Sequence, residues 1–199
     1  MTTPGFPQRL AQAPDVRHRL REATAQAHAR IDARFARGLG EAGAYPRYLV
    51  GMHRFAIDFE TATGRPPRQS AWLARDLVAL ALSPLPATQA RAAIDDAGER
   101  TGWDYVMAGS SLGARRLLRD VRALGHTRES GACFLAQHAH SDDWPTVQQR
   151  LAGFDSGDAR QLAALTRGAL DAFAAVAACF ARSFAADARS GQAAVAVHA

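Results

Sequence analysis

The 199-residue chain contains no lysine, so all 24 of its basic side chains are arginine, and against 19 acids they leave a net charge of +5. An excess that small, scattered along the chain, argues against a nucleic-acid footprint and for an electropositive face suited to an acidic protein partner. Cysteine is scarce too. Cys133 and Cys179 lie in separate apolar segments without CxxC spacing, which excludes a disulfide framework or a zinc site and fits a reducing compartment. The longest apolar run, Ala172 to Phe180, is far too short to cross a bilayer, and the opening residues carry no apolar core of a signal segment. The expectation is a cytoplasmic protein without a membrane span. No stretch alternates β-branched residues as a strand would, no period of about 20–50 residues repeats, and no phosphate loop, Cys/His cluster or H-E-x-x-H motif is present.

What the chain does contain is helical periodicity. An apolar share of 48% over 199 residues supports one large core. Residues 1–14 hold Pro4, Pro7 and Pro14 without a pattern and read as a flexible arm. The single domain then spans 15–187, with a weakly patterned tail over 188–199. Within it the pattern predicts helices from about Asp15, a plausible N-cap, to Arg37, from Pro46 to Ala62, and from Ala71 to Ala81. Others follow at about Thr88 to Ala97, 101–124, Cys133 to His138, Trp144 to Leu151 and Asp158 to Ala186. The fold class is all-α, and seven or eight helices of unequal length point to an irregular multi-helical domain rather than a four-helix bundle.

Two features carry chemistry. The first is His28 on the opening helix. At 100° per residue Thr24, Ile31 and Phe35 lie within about 60° of it, so the pattern places the imidazole on the buried side. Asp32 follows one turn on, where its carboxylate can accept the second ring N–H. That geometry serves an axial metal ligand and an ordinary core histidine equally well. The second is the pair Gly109 and Gly113 inside a long helix, each costing about 0.5–1 kcal/mol relative to alanine. Spaced four apart, and flanked by Ala108, Ser110, Ser111 and Ala114, they permit close contact either with another helix or with a flat ligand.

Together these features resemble the heme oxygenase family. The resemblance lies in Leu20-Arg-Glu-Ala-Thr-Ala-Gln-Ala-His-Ala-Arg-Ile-Asp32, in Tyr45-Pro-Arg-Tyr-Leu-Val-Gly-Met-His53 with Glu60 beyond, and in Tyr105-Val-Met-Ala-Gly-Ser-Ser-Leu-Gly-Ala-Arg115. More loosely, Cys133-Phe134, Trp144 and Gly168-Ala-Leu-Asp-Ala-Phe173 are similar to later helices of bacterial members. The resemblance covers about residues 15–185. It implies heme as substrate and cofactor at once, held between the helix of His28, the iron ligand, and a distal helix bent at Gly109 and Gly113. It further implies oxidative cleavage to biliverdin, carbon monoxide and ferrous iron, with O2 and electrons from an acidic donor such as a ferredoxin or a flavin reductase. Whether the bilin then supplies a photoreceptor or the purpose is iron release stays open.

The chain departs from the family pattern in two places. Vertebrate-type members carry an aspartate directly after the first distal glycine, where this chain has Ser110, as bacterial members often do. A basic residue matching the vertebrate propionate contact falls at Arg21, whereas the second such position is Ala25. Thr24 and Asp32 complete the expected pocket around His28. Outside it, His53, His138 and His140 read as surface or hydrogen-bonded core histidines and Glu60 as structural. Two rival functions remain beside the enzyme: a heme carrier that does not turn its ligand over, and a helical interaction module without heme.

Overall fold

The computed structural model describes residues 15–87 and 92–197. Seven α-helices make up this part of the chain: α1 (Val16–Asp32), α2 (Ala44–Thr63), α3 (Gln69–Ala79), α4 (Ala97–Ala123), α5 (Cys133–His138), α6 (Asp143–Ala152) and α7 (Ala159–Val197). A single 3-10 turn, Ala33–Phe35, continues α1. The only extended pairing among the described residues is an isolated bridge between Thr127 and Gly131, so the all-α expectation holds. Two expectations change. The helix anticipated at about Thr88 to Ala97 lies partly outside the described residues, and 92–96 are not helical. The last helix runs beyond Ala186 to Val197, and the N-terminal arm, 1–14, is outside the described residues.

Several helix starts have an identifiable cap, some of them distant in sequence. The Asp15 carboxylate accepts from the His18 amide at 2.7 Å, and Asp96 accepts from the Glu99 amide at 2.9 Å, as N-cap side chains should. α2 stops at Gly64, whose φ of 67° is a left-handed conformation that favours glycine. The entry to α3 is capped by Glu60 of α2, which accepts from the amides of Arg68 at 2.8 Å and Ser70 at 3.0 Å, and from the Ser70 hydroxyl. That is the structural role expected for Glu60. α5 has only six residues, too few to be stable alone, and Asp76 of α3 holds its start by accepting from the amides of Cys133 at 2.7 Å and Phe134 at 2.8 Å.

α7 is the centre of the domain, packed against α1, α2 and α4. Residues Ala159–Asp187 are long and apolar enough to cross a membrane by composition, with a mean hydropathy of 1.5 over their most apolar window. Ala169, Ala172, Val176 and Phe180 are buried against the neighbouring helices, which accounts for that character. The closest approach is between backbones. A Cβ on Gly102 of α4 would collide with the Leu165 carbonyl and the Ala169 amide, and one on Gly168 of α7 would collide with the Glu99 carbonyl. These two glycines, rather than Gly109 and Gly113, let two helices touch.

Gly102→Ala or Gly168→Ala should therefore force α4 and α7 apart and cost about 1–3 kcal/mol or more, the usual range for overpacking. A Cβ at Gly113 meets nothing within 4 Å. Gly113→Leu should leave the ligand-free protein as stable as wild type, or more stable by up to about 1 kcal/mol through helix propensity. Denaturation midpoints of the three variants check both statements, and a destabilised Gly113→Leu protein would contradict the open face.

Candidate functional site

α1 meets α7 through a stripe whose first half, Val16, Leu20 and Thr24, is buried, while Ala27, Ile31 and Phe35 further along are only partly covered. His28 lies about 40° round from Thr24 and is 62% exposed, which corrects the expectation of a buried imidazole. The reason is the packing of α1, which rests on α7 and α6 but not along α4, so no second wall covers the ring. The expected carboxylate contact does form: His28 Nδ1 stands 3.0 Å from Asp32 Oδ2. Acceptance by Asp32 selects the tautomer with hydrogen on Nδ1 and leaves the lone pair on Nε2. On its other side the imidazole sits edge-on to Phe173 of α7, centroids 5.9 Å apart at 75°.

On α4 the candidate groups face outward in the same way. The helix is continuous through both glycines. At Gly109 a Cβ would make only an ordinary 3.6 Å contact with Trp144, and neighbouring Leu112 is 61% exposed. Tyr105, one turn earlier, stacks obliquely on Trp144 with centroids 5.7 Å apart. Thr24 of α1, with Arg21 and Arg17, is near enough to act on the Tyr105 hydroxyl, although burial raises its pKa more strongly than these lower it. Thr24 and Tyr105 thus mark where the two helices come near each other. Because His28 meets Phe173 and Phe35 meets Phe180, α1 runs parallel to α7. Because Gly98 faces Ala164 and Gly102 faces Ala169, α4 runs the same way. His28 and Gly109 therefore both lie one turn beyond this point of approach, in the same direction.

Ser110 turns from this face toward α5. Its Oγ lies 2.7 Å from the Met107 carbonyl and 2.8 Å from Nε2 of His138, which is only 1% exposed. His138 is thus the hydrogen-bonded core histidine of the bland reading, but its tie to Ser110 was not legible, since no spacing rule joins residues 28 apart on different helices. His140 is exposed, and His53 is half-buried with its pKa lowered chiefly by that burial. Arg21 and Ala25 are exposed on α1. The run Gly109-Ser-Ser-Leu-Gly113 also spells G-x-S-x-G, but Ser111 is buried in mid-helix rather than raised on a strand-to-helix turn, so it is no nucleophile elbow.

A separate polar cleft of about 50 Å³ lies between α4 and α6, lined in part by Arg65, Arg68, Asp104, Asp143 and Arg150. It is far too small for a porphyrin, and its charges satisfy one another: the buried Asp104 accepts from Arg65 at 2.7 Å and from Arg150 at 2.8 Å, and Arg68 chelates Asp143. Among the described residues no three His, Cys, Asp or Glu side chains gather to hold a metal ion. His28 is a lone imidazole donor.

No family model and no curated protein matches the chain. Among solved structures, the heme oxygenase of Neisseria meningitidis, determined with NO and CO bound, superposes with a TM-score of 0.67 over 87% of this chain and 94% of its own, at 22% identity. The fold is the heme oxygenase fold. The comparison supports the helical architecture expected from the first and third motifs, and it extends beyond them to nearly the whole neighbour.

Burial pushes the His138 imidazole down to about 4, against the opposing pull of Asp143 and the Met107 carbonyl. The unfolded chain, with an ordinary value near 6.5, takes up a proton that the folded protein refuses. The stability this represents is present in full above about pH 6.5 and is lost as pH falls toward 4, on the order of 3 kcal/mol in all. Denaturant midpoints between pH 7 and 4 should fall less steeply for His138→Gln than for wild type. Parallel curves would show that His138 titrates normally.

Proposed function

We propose that the chain is a heme oxygenase of bacterial type, which binds heme between α1 and α4 and cleaves it to biliverdin, carbon monoxide and ferrous iron with O2 and external electrons. One observation carries the reading: a heme oxygenase fold in which a histidine with its Nδ1 tied to a carboxylate stands one turn beyond Thr24, and an open glycine face stands one turn beyond the nearby Tyr105. The residues suit the group. A lone imidazole whose Nδ1 is tied to a carboxylate leaves Nε2 for an iron whose other ligands come from the porphyrin, and a helix without Cβ atoms at two positions one turn apart suits a flat ring.

Bound heme supplies the iron that activates O2 and the ring carbon that is oxidised. The chain supplies the rest. His28 would hold the iron through Nε2, with Asp32 fixing the orientation of the ring through Nδ1. Gly109 and Gly113, where no Cβ intervenes, would let a flat ring approach the α4 backbone. Arg21 provides a cation for a propionate at the edge of the pocket, beside Thr24. Ser110, on the distal side, offers a polar group where vertebrate-type members carry a carboxylate. The net charge of +5 suits an acidic reductase or ferredoxin in a cytoplasmic setting. Because Ser110 replaces a carboxylate, a heme carrier of the same fold is the second reading. It shares the binding chemistry and differs in turnover.

Hemin titration tests the site. Wild type should bind one hemin with a shifted Soret band. His28→Ala should lose the imidazole-ligated spectrum and regain it when free imidazole is added, while Gly113→Leu should bind hemin more weakly despite its intact fold. An unshifted Soret band in wild type, or an identical spectrum and affinity in His28→Ala, overturns the assignment.

A further inference from the structure

Ser110 has one hydroxyl proton and two lone pairs, and its two neighbours decide how they are used. The Met107 carbonyl, 2.7 Å away, can only accept, so the serine proton goes to it. The contact with His138 Nε2 at 2.8 Å then requires the imidazole to donate, and hydrogen sits on Nε2. The other ring nitrogen, Nδ1, is buried with no partner in the structure. As a bare lone pair it is tolerated better there than an unmatched N–H would be. The charged groups that bear on His138 are Asp143 on α6 and Arg68 ahead of α3, and these two are paired with each other. The imidazole cannot drift, because α5 is anchored through Asp76 and the ring stacks on Phe134 with centroids 4.9 Å apart.

We infer that His138 is a positioning residue that makes Ser110 a hydrogen-bond acceptor only, so that whatever polar ligand the serine holds at the open face of α4, a water first of all, must donate to it. With its proton committed to Met107 and one lone pair committed to His138, Ser110 keeps a single lone pair, and its half-buried side chain stands at the edge of the glycine face. A serine free to rotate would donate and accept in turn. This one holds its ligand in one sense, and the ordering of a distal water follows from a residue that never touches it. The functional part of the inference rests on the reading of α4 as a wall of the heme pocket.

The tautomer is read by nitrogen-15 NMR of the histidine rings in the ligand-free full-length protein, where His138 should be neutral with hydrogen on Nε2 at neutral pH. Turnover supplies the second readout. His138→Leu removes the donor and should slow conversion of hemin to bilin by roughly tenfold, the loss of about one hydrogen bond. His138→Gln, whose amide N–H can replace the ring N–H, should stay within about threefold of wild type. Hemin affinity should be the same for all three proteins. Hydrogen on Nδ1, an imidazolium at neutral pH, wild-type turnover in His138→Leu, or a glutamine variant as slow as the leucine variant each overturns the inference. Wild-type protein that binds no hemin instead overturns the heme reading, and the NMR measurement still decides the tautomer.

Discussion

α4 and α7 meet backbone to backbone at Gly102 and Gly168, and that approach sets where every group of the site lies. Side chains of ordinary size would hold two helices about 8–10 Å apart; glycines on both partners bring them closer and fix their register. With Gly102 seated on Leu165 and Ala169, one face of α4 is committed to the core through Trp103, Val106, Met107 and Ala108. Gly109 and Gly113 lie within about 20° of Gly102 round the helix axis, about two and three turns further along, where an added Cβ meets only Trp144 at Gly109 and nothing within 4 Å at Gly113. α1 takes its direction from α7 as well, since His28 and Phe35 follow the line of Phe173 and Phe180. The candidate ligand and the candidate wall are thus placed by one helix that carries neither.

The polar groups that folding removes from water serve the same geometry. Glu60 and Asp76 replace the local caps that α3 and α5 lack, Glu60 tying α2 to α3 and Asp76 tying α3 to α5. An unpaired buried carboxylate is expensive, so each of these bonds is strongly selected by the fold. Burial raises the pKa of Asp76 above the usual carboxylate value, and the amides of Phe134 and Cys133 pull against that rise. Through α5 this arrangement reaches His138, and through His138 it reaches Ser110.

Helix positions were largely legible in the sequence because apolar periodicity and capping residues act locally. The stretch Cys133–His138 and the starts near Asp15 and Pro46 lie where the pattern puts them. Gly109 and Gly113 stood out as helix glycines, and the structure leaves Gly113 facing open space rather than another helix. Gly102 and Gly168 did not stand out, because what requires them is a backbone 66 residues away in sequence, counted from 102 to 168. His28 and Asp32 pair as an i,i+4 contact should, but exposure depends on which helices flank α1, and periodicity says nothing of that. The link between Ser110 and His138, likewise, is a product of tertiary packing alone.

The proposed function stands or falls on whether this chain degrades heme with Ser110, held by His138, at the edge of its glycine face. Hemin-loaded protein exposed to oxygen and an electron source such as ascorbate, followed by absorbance and by capture of released carbon monoxide, tests it most directly. The expected result is decay of the Soret band with stoichiometric carbon monoxide and a biliverdin spectrum. A Soret band that persists through many equivalents of reductant, with no carbon monoxide released, would contradict the claim and leave a heme carrier in its place.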